Sequence, residues 1–535
     1  MKDNTEVTNV ADILEKFGKY QMLQYFYASL PALVVAMINV NYIFVAGEVN
    51  YRCRVPECDS LNSTYNVTWW PASVDECSKP VLNQTLDDVL CTNDSFAGSR
   101  EKCTDWIYEN HDTIISEYDL ACQPWKRTMV GTIHNIGMAL AEMAAGWLAD
   151  IYGRKFTTVI CAIGCIIGNF KTLAPNYNTY VSIEFIEALI CGGVYTSGGV
   201  LMLEIAGSDQ RLLAGVVFAY AVYMGEAIFA LIGMAVPYWK SLIQIICTPS
   251  LLFFFYFISI HESPRWLIIK DRIDEAREIL KNMVRMNKLN VDEDELNNID
   301  NEKLKALYSY GDSTKKQGLK QIYQCKKLLL WVLVSSFCRF TVSFVYYGLL
   351  INSVVLPGDK YTNFLLAAVM SFPGELISLF LMNKIGRKLP LMVGFLLCGI
   401  SCVASGYVSN EHAWLKICLF LVGKLVTAAC YTGTLTYSME LFPTSVRGSL
   451  IGLCTLAACL GNMLAPLTPL LTPLLSSILF ASSAVISSVL LIFTPETKGA
   501  PLIDTIEQIY DKSLSERKKQ NENSKENSES MNTRF

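Results

Sequence analysis

The chain has 535 residues, of which 52% are hydrophobic and only 17% are charged, and its formal net charge is -5. A soluble protein of this length carries about a quarter of its residues as charged side chains, so the composition predicts a polytopic membrane protein. The sequence contains no Walker loop, no HExxH and no paired CxxC. An enzyme, a cofactor, a metal site and a nucleic-acid partner are therefore not expected.

Residues 1–22 are polar and lack the pattern of a cleaved signal peptide, so the first apolar run is expected to act as the signal. Apolar runs of about 20 residues follow, the length that crosses a hydrocarbon core of roughly 30 Å as a helix. Helices are expected because backbone polar groups in lipid must be satisfied within their own segment. Twelve spans are predicted, six in each half: 23–45, 127–148, 156–174, 178–203, 213–236, 240–260, 328–350, 362–382, 389–408, 413–438, 449–471 and 474–494.

The loop of residues 46–126, after the first span, carries six cysteines and four acceptor sequences for N-glycosylation, at Asn62, Asn66, Asn83 and Asn93. This combination is typical of an oxidising compartment and predicts an extracellular, glycosylated loop. Three disulfides can form, but the sequence does not choose among the possible pairings.

A short charged turn after the second span recurs after the eighth. The first copy is GWLADIYGRK, and its Gly153-Arg154-Lys155 returns as Gly386-Arg387-Lys388. Asn383 stands in the second copy where the first has Asp150, so the second turn is expected to form the weaker latch. Three more pairs repeat: Glu204 and Glu440, Arg211 and Arg447, Glu262 and Glu496. Duplicated halves in a membrane protein are typical of a transporter with its binding site between them.

With the cysteine-rich loop outside, both basic turns fall inside, as the positive-inside rule requires. Both termini are then cytoplasmic. The expected parts are a cytoplasmic N-terminus (1–22), a first bundle (23–260), a cytoplasmic connector with surface helices (261–326), a second bundle (327–494) and a mostly disordered cytoplasmic tail (495–535).

Four stretches carry a resemblance to a known family: GWLADIYGRK, HESPRWL after the sixth span, SMELFPTSVRG at 438–448 and TPETKG at 494–499. They resemble the major facilitator superfamily, and more narrowly its organic cation, organic anion and carnitine branch, solute carrier family 22. The large first loop and FVYYGL at 344–349 also fit this branch, and the resemblance covers residues from about 17 to 510. It implies an all-α membrane protein of twelve helices, in which two six-helix bundles rock around a central cavity and carry one organic solute across the plasma membrane.

Ionisable side chains inside spans are the first candidates for the binding site, because such groups are costly in lipid unless they line a cavity. Pairing of an acid with Arg339 or Lys424 is the competing structural explanation. Aromatic rings add faces that suit an organic cation. The candidate charged residues are Glu142, Glu184, Glu187, Glu226, Arg339, Glu375 and Lys424, and the aromatic ones are Tyr346, Tyr347 and Tyr431.

The resemblance implies a place for Tyr346 in the substrate cage of the seventh span, and for Tyr431 and Thr432 among the substrate contacts of the tenth. By the same resemblance, Cys459 stands at a position where cation transporters carry Asp and anion or carnitine transporters carry Arg. The residue at this position therefore does not indicate the charge of the substrate. The acid usual in the eighth span of cation transporters is missing, and Glu375 could supply a carboxylate one turn deeper.

The candidate charged residues are five acids and two bases, which favours an organic cation, or a carnitine-like zwitterion whose carboxylate meets Arg339. We therefore expect a multi-pass plasma-membrane transporter of a small organic ion, embedded in the lipid bilayer. An organic anion transporter, a sugar transporter and a transport-inactive solute sensor are the alternatives, and oligomeric state stays open. A cytoplasmic gating network is expected from Asp150, Arg154, Glu204, Arg211, Arg387, Glu440 and Arg447.

Overall fold

The computed structural model describes residues 16–60, 63–71, 74–82, 91–92, 95–207, 210–289 and 325–499. Several sequence expectations lie outside these ranges. They are the acceptors Asn62, Asn83 and Asn93, residues 290–324 of the connector, and the tail from residue 500 onward.

The described part of the chain forms twelve helical segments of spanning length, each within a few residues of a predicted span. Eleven of them are long and apolar enough to cross a membrane. The other, Pro124–Tyr152, is a continuous helix with polar residues such as His134 and Glu142 along it. We number them spans 1 to 12: Lys19–Val45, Pro124–Tyr152, Arg154–Leu173, Tyr177–Ile205, Arg211–Ala235, Trp239–Ser259, Lys326–Val355, Lys360–Lys384, Lys388–Tyr407, Ala413–Leu441, Arg447–Leu470 and Pro473–Phe493.

Many spans are built from more than one helical piece. Proline accounts for part of this, because it removes a backbone donor inside a helix; Pro466 and Pro469 lie in the 3₁₀ end of span 11. The divided spans consist of Lys19–Asn39 and Tyr42–Val45; Arg154–Gly164 and Cys165–Leu173; Tyr177–Cys191 and Gly193–Ile205; Trp239–Cys247, Thr248–Phe255 and Tyr256–Ser259; Lys326–Asn352 and Ser353–Val355; Lys360–Val369 and Ser371–Lys384; Arg447–Leu464 and Ala465–Leu470; Pro473–Leu490 and Leu491–Phe493.

Short polar side chains begin several of these helices. Asn176, Asp359 and Thr472 each accept a hydrogen bond from a backbone N–H in the first turn of spans 4, 8 and 12. Such caps satisfy donors that a helix start otherwise leaves without a partner. Outside the spans, short helices cover Ile114–Glu117, Pro264–Ile269, Ile273–Asn287 and the 3₁₀ turn Asn410–His412.

The loop after span 1 folds around two small antiparallel sheets. Strand Tyr51–Cys53 pairs with Trp106–Tyr108, and strand Ser78–Leu82 pairs with Phe96–Lys102. The structure resolves the cysteine pairing that the sequence left open: Cys53–Cys103, Cys58–Cys91 and Cys77–Cys122. The acceptor Asn66 is exposed on this loop.

The two halves meet near the end of the molecule that carries this loop, which we call the loop end; the two basic turns lie at the opposite, turn end. Phe44 of span 1 contacts the rings of Tyr361 and Phe364 in span 8, at 4.8 and 5.1 Å between centroids. Nearer the middle of the spans, the Tyr346 hydroxyl of span 7 donates a hydrogen bond to Glu226 of span 5. The described contacts between the halves thus include the loop end and the middle of the spans.

Candidate functional site

Tyr346 of span 7 lies at the centre of a buried cluster that joins the two halves. Its hydroxyl donates a hydrogen bond of 3.2 Å to the carboxylate of Glu226 in span 5, and lies 3.2 Å from the hydroxyl of Ser371 in span 8. All three side chains are buried. A carboxylate of the first half and a phenol of the second are thus in direct contact.

Lys424 of span 10 places its ammonium on the face of the same tyrosine. Its Nζ lies 3.0 Å from the centroid of the Tyr346 ring and donates a hydrogen bond of 3.2 Å to the Tyr346 carbonyl. A cation over an aromatic face is attracted by the ring quadrupole, and most strongly where water is excluded. Lys424 is fully buried, so this arrangement is such a case.

Other tyrosines surround this contact. The ring of Tyr346 lies 5.3 Å from Tyr347, 5.4 Å from Tyr431 and 6.5 Å from Tyr223. The Tyr347 hydroxyl accepts a hydrogen bond of 3.3 Å from Asn39 of span 1, a second polar link between the halves. We call Tyr346, Tyr347, Tyr431 and Tyr223 the aromatic box.

Glu375 of span 8 lies beside the aromatic box. Its carboxylate accepts hydrogen bonds from the hydroxyl of Tyr223, at 3.4 Å, and from the hydroxyl of Thr432. Tyr223 belongs to the first half and Thr432 to the second, so this acid also bridges them. Its side chain is buried.

Arg339 of span 7 stacks on the outer side of the box. Its guanidinium carbon lies 5.0 Å from the centroid of the Tyr431 ring, and Nη1 donates a 3.3 Å hydrogen bond to the Tyr431 carbonyl. The buried Nε has no hydrogen-bond partner among the described residues. Nearby, the Cys459 thiol lies 3.7 Å from the carboxylate of Glu142 in span 2, so the thiol and this acid meet across the halves.

Glu187 lies apart from this cluster, in a charged group enclosed by the first half. Lys171 donates hydrogen bonds to both Glu184 and Glu187, and His134 Nδ1 lies 2.7 Å from Glu184. All four side chains have no exposed surface. Glu187 is therefore paired within its own bundle, the structural explanation that competed with a binding role.

Sequence reasoning missed Lys171, although it lies inside the predicted span 156–174 and meets the same criterion as the other intramembrane charges. Its presence changes the charge balance. The two acids that it binds are compensated locally, so the acids near the aromatic box are Glu142, Glu226 and Glu375, against Arg339 and Lys424. The excess of acids is smaller than the sequence indicated.

The first basic turn carries a polar network at the turn end. Arg154 pairs with Asp150 at 2.9 Å and with Glu204 at 3.2 Å. Glu262 accepts hydrogen bonds from the backbone N–H groups of Arg154 and Lys155, at 3.0 and 3.2 Å. This carboxylate caps the positive end of the helix that begins span 3.

The second turn repeats this arrangement. Arg387 pairs with Glu440 at 3.0 Å, and Glu496 accepts hydrogen bonds from the backbone N–H groups of Arg387 and Lys388, at 2.8 and 3.0 Å. Asn383 is exposed and offers no carboxylate where the first turn has Asp150. Each network is held within its own half.

The two remaining gating candidates begin spans 5 and 11. Arg211 is exposed at the turn end of span 5. Arg447 donates a hydrogen bond of 3.2 Å from Nε to the Phe442 carbonyl at the start of span 11. Within the described ranges, no three His, Cys, Asp or Glu side chains converge to hold a metal ion.

Comparison with known proteins identifies the family to which the chain belongs. Residues 102–510 match the family described as sugar (and other) transporter, which is most of the chain. The chain belongs to this family. It is a multi-pass membrane transporter rather than an enzyme, and the resemblance to the major facilitator superfamily is confirmed.

Among curated proteins, this transporter is 26% identical to solute carrier family 22 member 3 of Rattus norvegicus, over 92% of this chain and 94% of the relative. It is 28% identical to the organic cation transporter protein of Drosophila melanogaster, over 92% of each chain. Among solved structures it is similar to the partially occluded inward open xylose transporter XylE from E. coli, with a TM-score of 0.60 and 15% identity. That match covers 90% of this chain and 100% of XylE, and it confirms the fold of two six-helix bundles.

Proposed function

We propose that this transporter carries a small organic cation, or a zwitterion with a cationic group, across the plasma membrane by alternating access. The observation that carries the proposal is the ammonium of Lys424 on the face of Tyr346, with the Glu226 carboxylate bound to the hydroxyl of the same ring. These groups provide what an organic ammonium requires, an aromatic face and an opposite charge in a buried site. The name of one relative, the organic cation transporter protein of Drosophila melanogaster, supports the same class of substrate.

The proposed orientation has the cysteine-rich loop outside and both termini in the cytoplasm. Three disulfides and an exposed Asn66 on this loop support an oxidising side of the membrane, where glycosylation takes place. The contact of the halves at the loop end then corresponds to a state closed to the outside.

Alternating access requires contacts that break when the bundles rock. The bonds from Tyr346 to Glu226 and from Tyr223 to Glu375 cross between the bundles, so both depend on their relative position. A substrate that binds these carboxylates couples its own binding to the rocking motion. The turn-end pairs Arg154–Glu204 and Arg387–Glu440 hold the ends of spans within each bundle, and we assign Asp150 and the two arginines to the gate.

One feature favours a zwitterion over a simple cation: the Nε of Arg339 beside the box has no hydrogen-bond partner among the residues that the structure describes. A guanidinium with a free donor binds a carboxylate well, often through two hydrogen bonds. A substrate with both charges would span from Glu226 to Arg339. A carnitine-like molecule has these groups.

The test is uptake into cells of labelled tetraethylammonium, carnitine and a dicarboxylate, with matched surface expression of wild type and Glu375→Gln. Glu411→Gln, an exposed position at the loop end, is the control for expression. Amine or carnitine uptake that falls in Glu375→Gln alone supports the proposal. Uptake of the dicarboxylate alone would favour an organic anion transporter, and binding without uptake would favour a solute sensor.

A further inference from the structure

A side chain of the transporter itself covers one face of the aromatic box, the ring of Tyr346. The ammonium of Lys424 lies 3.0 Å from the centroid of the Tyr346 ring, and Tyr347 and Tyr431 stand around that ring. Aromatic faces arranged in this way are how proteins recognise substituted ammonium groups. The place where the cationic group of a substrate fits is thus filled by Lys424.

Lys424 is held weakly for a buried cation. An ammonium has three N–H donors, and the hydrogen bond of Lys424 in the described part of the chain goes to the Tyr346 carbonyl. Glu226 attracts the ammonium, and one of its carboxylate oxygens accepts the hydrogen bond from the Tyr346 hydroxyl. The four-carbon stem of lysine is flexible, so the ammonium can leave the ring without any movement of the backbone.

We propose that Lys424 is a tethered competitor of the substrate: its ammonium occupies the cation subsite of the empty transporter and leaves the face of Tyr346 when an organic ammonium binds. Two like charges on one ring repel, so the two occupants exclude each other. Once Lys424 has left, the charge of Glu226 neutralises the bound substrate instead. This inference rests on the function proposed above, and it adds the residue that sets the affinity for the cationic group.

The competition changes a measurable quantity, the dissociation constant for an organic cation. The apparent affinity of a ligand falls by the fraction of the protein in which its site is free. If Lys424 leaves the box free about one-tenth of the time, the dissociation constant for an organic cation is raised about tenfold. Removing the ammonium while keeping the length of the side chain abolishes this effect.

The experiment is equilibrium binding of labelled tetraethylammonium to the purified full-length transporter in lipid nanodiscs. Lys424→Met and Lys424→Gln remove the charge, and Lys424→Arg keeps it as a guanidinium that stacks well on aromatic rings. We expect a dissociation constant about tenfold lower in the two neutral variants and an unchanged or higher one in Lys424→Arg. The double variant of Tyr346→Leu with Lys424→Met is expected to lack the tighter binding of Lys424→Met alone.

Binding that is equal or weaker in a folded neutral variant would overturn the inference, because Lys424 would then be part of the site and not its competitor. Size-exclusion elution as a single peak establishes folding. If neither neutral variant folds, Lys424→Arg decides, since tighter binding in that variant contradicts competition. Absence of tetraethylammonium binding in wild type and in all folded variants would instead contradict the proposed function as a carrier of organic cations.

Discussion

Glu262 and Glu496 are equivalent carboxylates that cap equivalent helices in the two halves. Each accepts hydrogen bonds from the backbone N–H groups of the arginine and lysine that follow a repeated glycine, Gly153 or Gly386. Both glycines have positive φ, +107° and +145°, a conformation that other residues rarely adopt. The duplication is thus preserved down to single hydrogen bonds at the turns.

These two caps are predicted to respond to pH in opposite directions. Burial raises the pKa of Glu262, and the opposing backbone hydrogen bonds do not cancel this. Burial acts in the same direction on Glu496, but hydrogen bonds from four backbone N–H groups outweigh it and lower the pKa. The Glu496 carboxylate therefore stabilises the fold above the unfolded pKa of about 4.3, and this contribution is lost as the pH falls through the folded pKa. Glu262 behaves in the opposite way, because the fold favours its protonated form. The stability that this preference contributes is fully present below the unfolded pKa and is lost as the pH rises through the folded pKa.

Thermal unfolding of Glu262→Gln and Glu496→Gln in detergent, between pH 7 and about pH 3, measures this difference, because the Glu496 contribution is lost only below the unfolded pKa of about 4.3. At pH 7, Glu496→Gln is expected to cost about 0.5–1 kcal/mol, the value of a charge at an exposed helix start, and this cost shrinks on acidification. The deficit of Glu262→Gln relative to wild type grows over the same range. Parallel trends in the two variants would show that the environments of the caps do not differ as described.

Asp150 is predicted to affect turnover more than binding. The Asp150 side chain is largely exposed, and its partner Arg154 is also held by Glu204, so neutralising Asp150 costs at most about 1 kcal/mol of stability. We expect Asp150→Asn to bind substrate with nearly wild-type affinity and to exchange it more slowly, measured by counterflow in proteoliposomes. Asn383→Asp, at the equivalent position, is the matched variant. Loss of binding together with normal exchange in Asp150→Asn would refute a gating role.

Lys171 is predicted to be essential for folding. It is fully buried between Glu184 and Glu187, and removal of one partner from a buried ionic group costs about 3–5 kcal/mol because an uncompensated charge remains. Lys171→Met should therefore lower surface expression and the unfolding temperature. The triple variant with Glu184→Gln and Glu187→Gln should recover much of the loss. Normal stability of Lys171→Met alone would mean that the acids are not paired as described.

The spans and turns were predictable because their signals are local. Apolar length predicts each span, and the repeated Gly-Arg-Lys marks each turn regardless of what packs around it. The partners of Glu187 and Lys424 were not predictable from the sequence, because they depend on which helix faces meet across the bundle. Lys171 was detectable as a charge in a span, but nothing in the sequence pairs it with Glu184. The cysteine pairing likewise follows from the fold of the loop, not from spacing.

The loop is predicted to be extracellular and glycosylated at Asn66. The acceptor Asn66 is exposed, so Asn66→Gln should run on a gel at an apparent mass lower than wild type by one glycan. Glycosidase treatment of both proteins should abolish this difference. Peptide mapping without reduction should recover the pairs Cys53–Cys103, Cys58–Cys91 and Cys77–Cys122. Free thiols in this loop on intact cells would contradict its assigned side of the membrane.

Uptake of labelled tetraethylammonium is the most direct test of whether the ring of Tyr346 binds the cationic group of the substrate. Tyr346→Phe keeps the aromatic face and loses only the hydroxyl contacts to Glu226 and Ser371, whereas Tyr346→Leu loses the face itself. At matched surface expression, we predict saturable uptake in wild type, reduced uptake in Tyr346→Phe and a loss of at least about tenfold in Tyr346→Leu, since a desolvated cation–π contact is worth about 2 kcal/mol. Uptake in Tyr346→Leu equal to that of wild type would show that the ring of Tyr346 does not bind the cationic group.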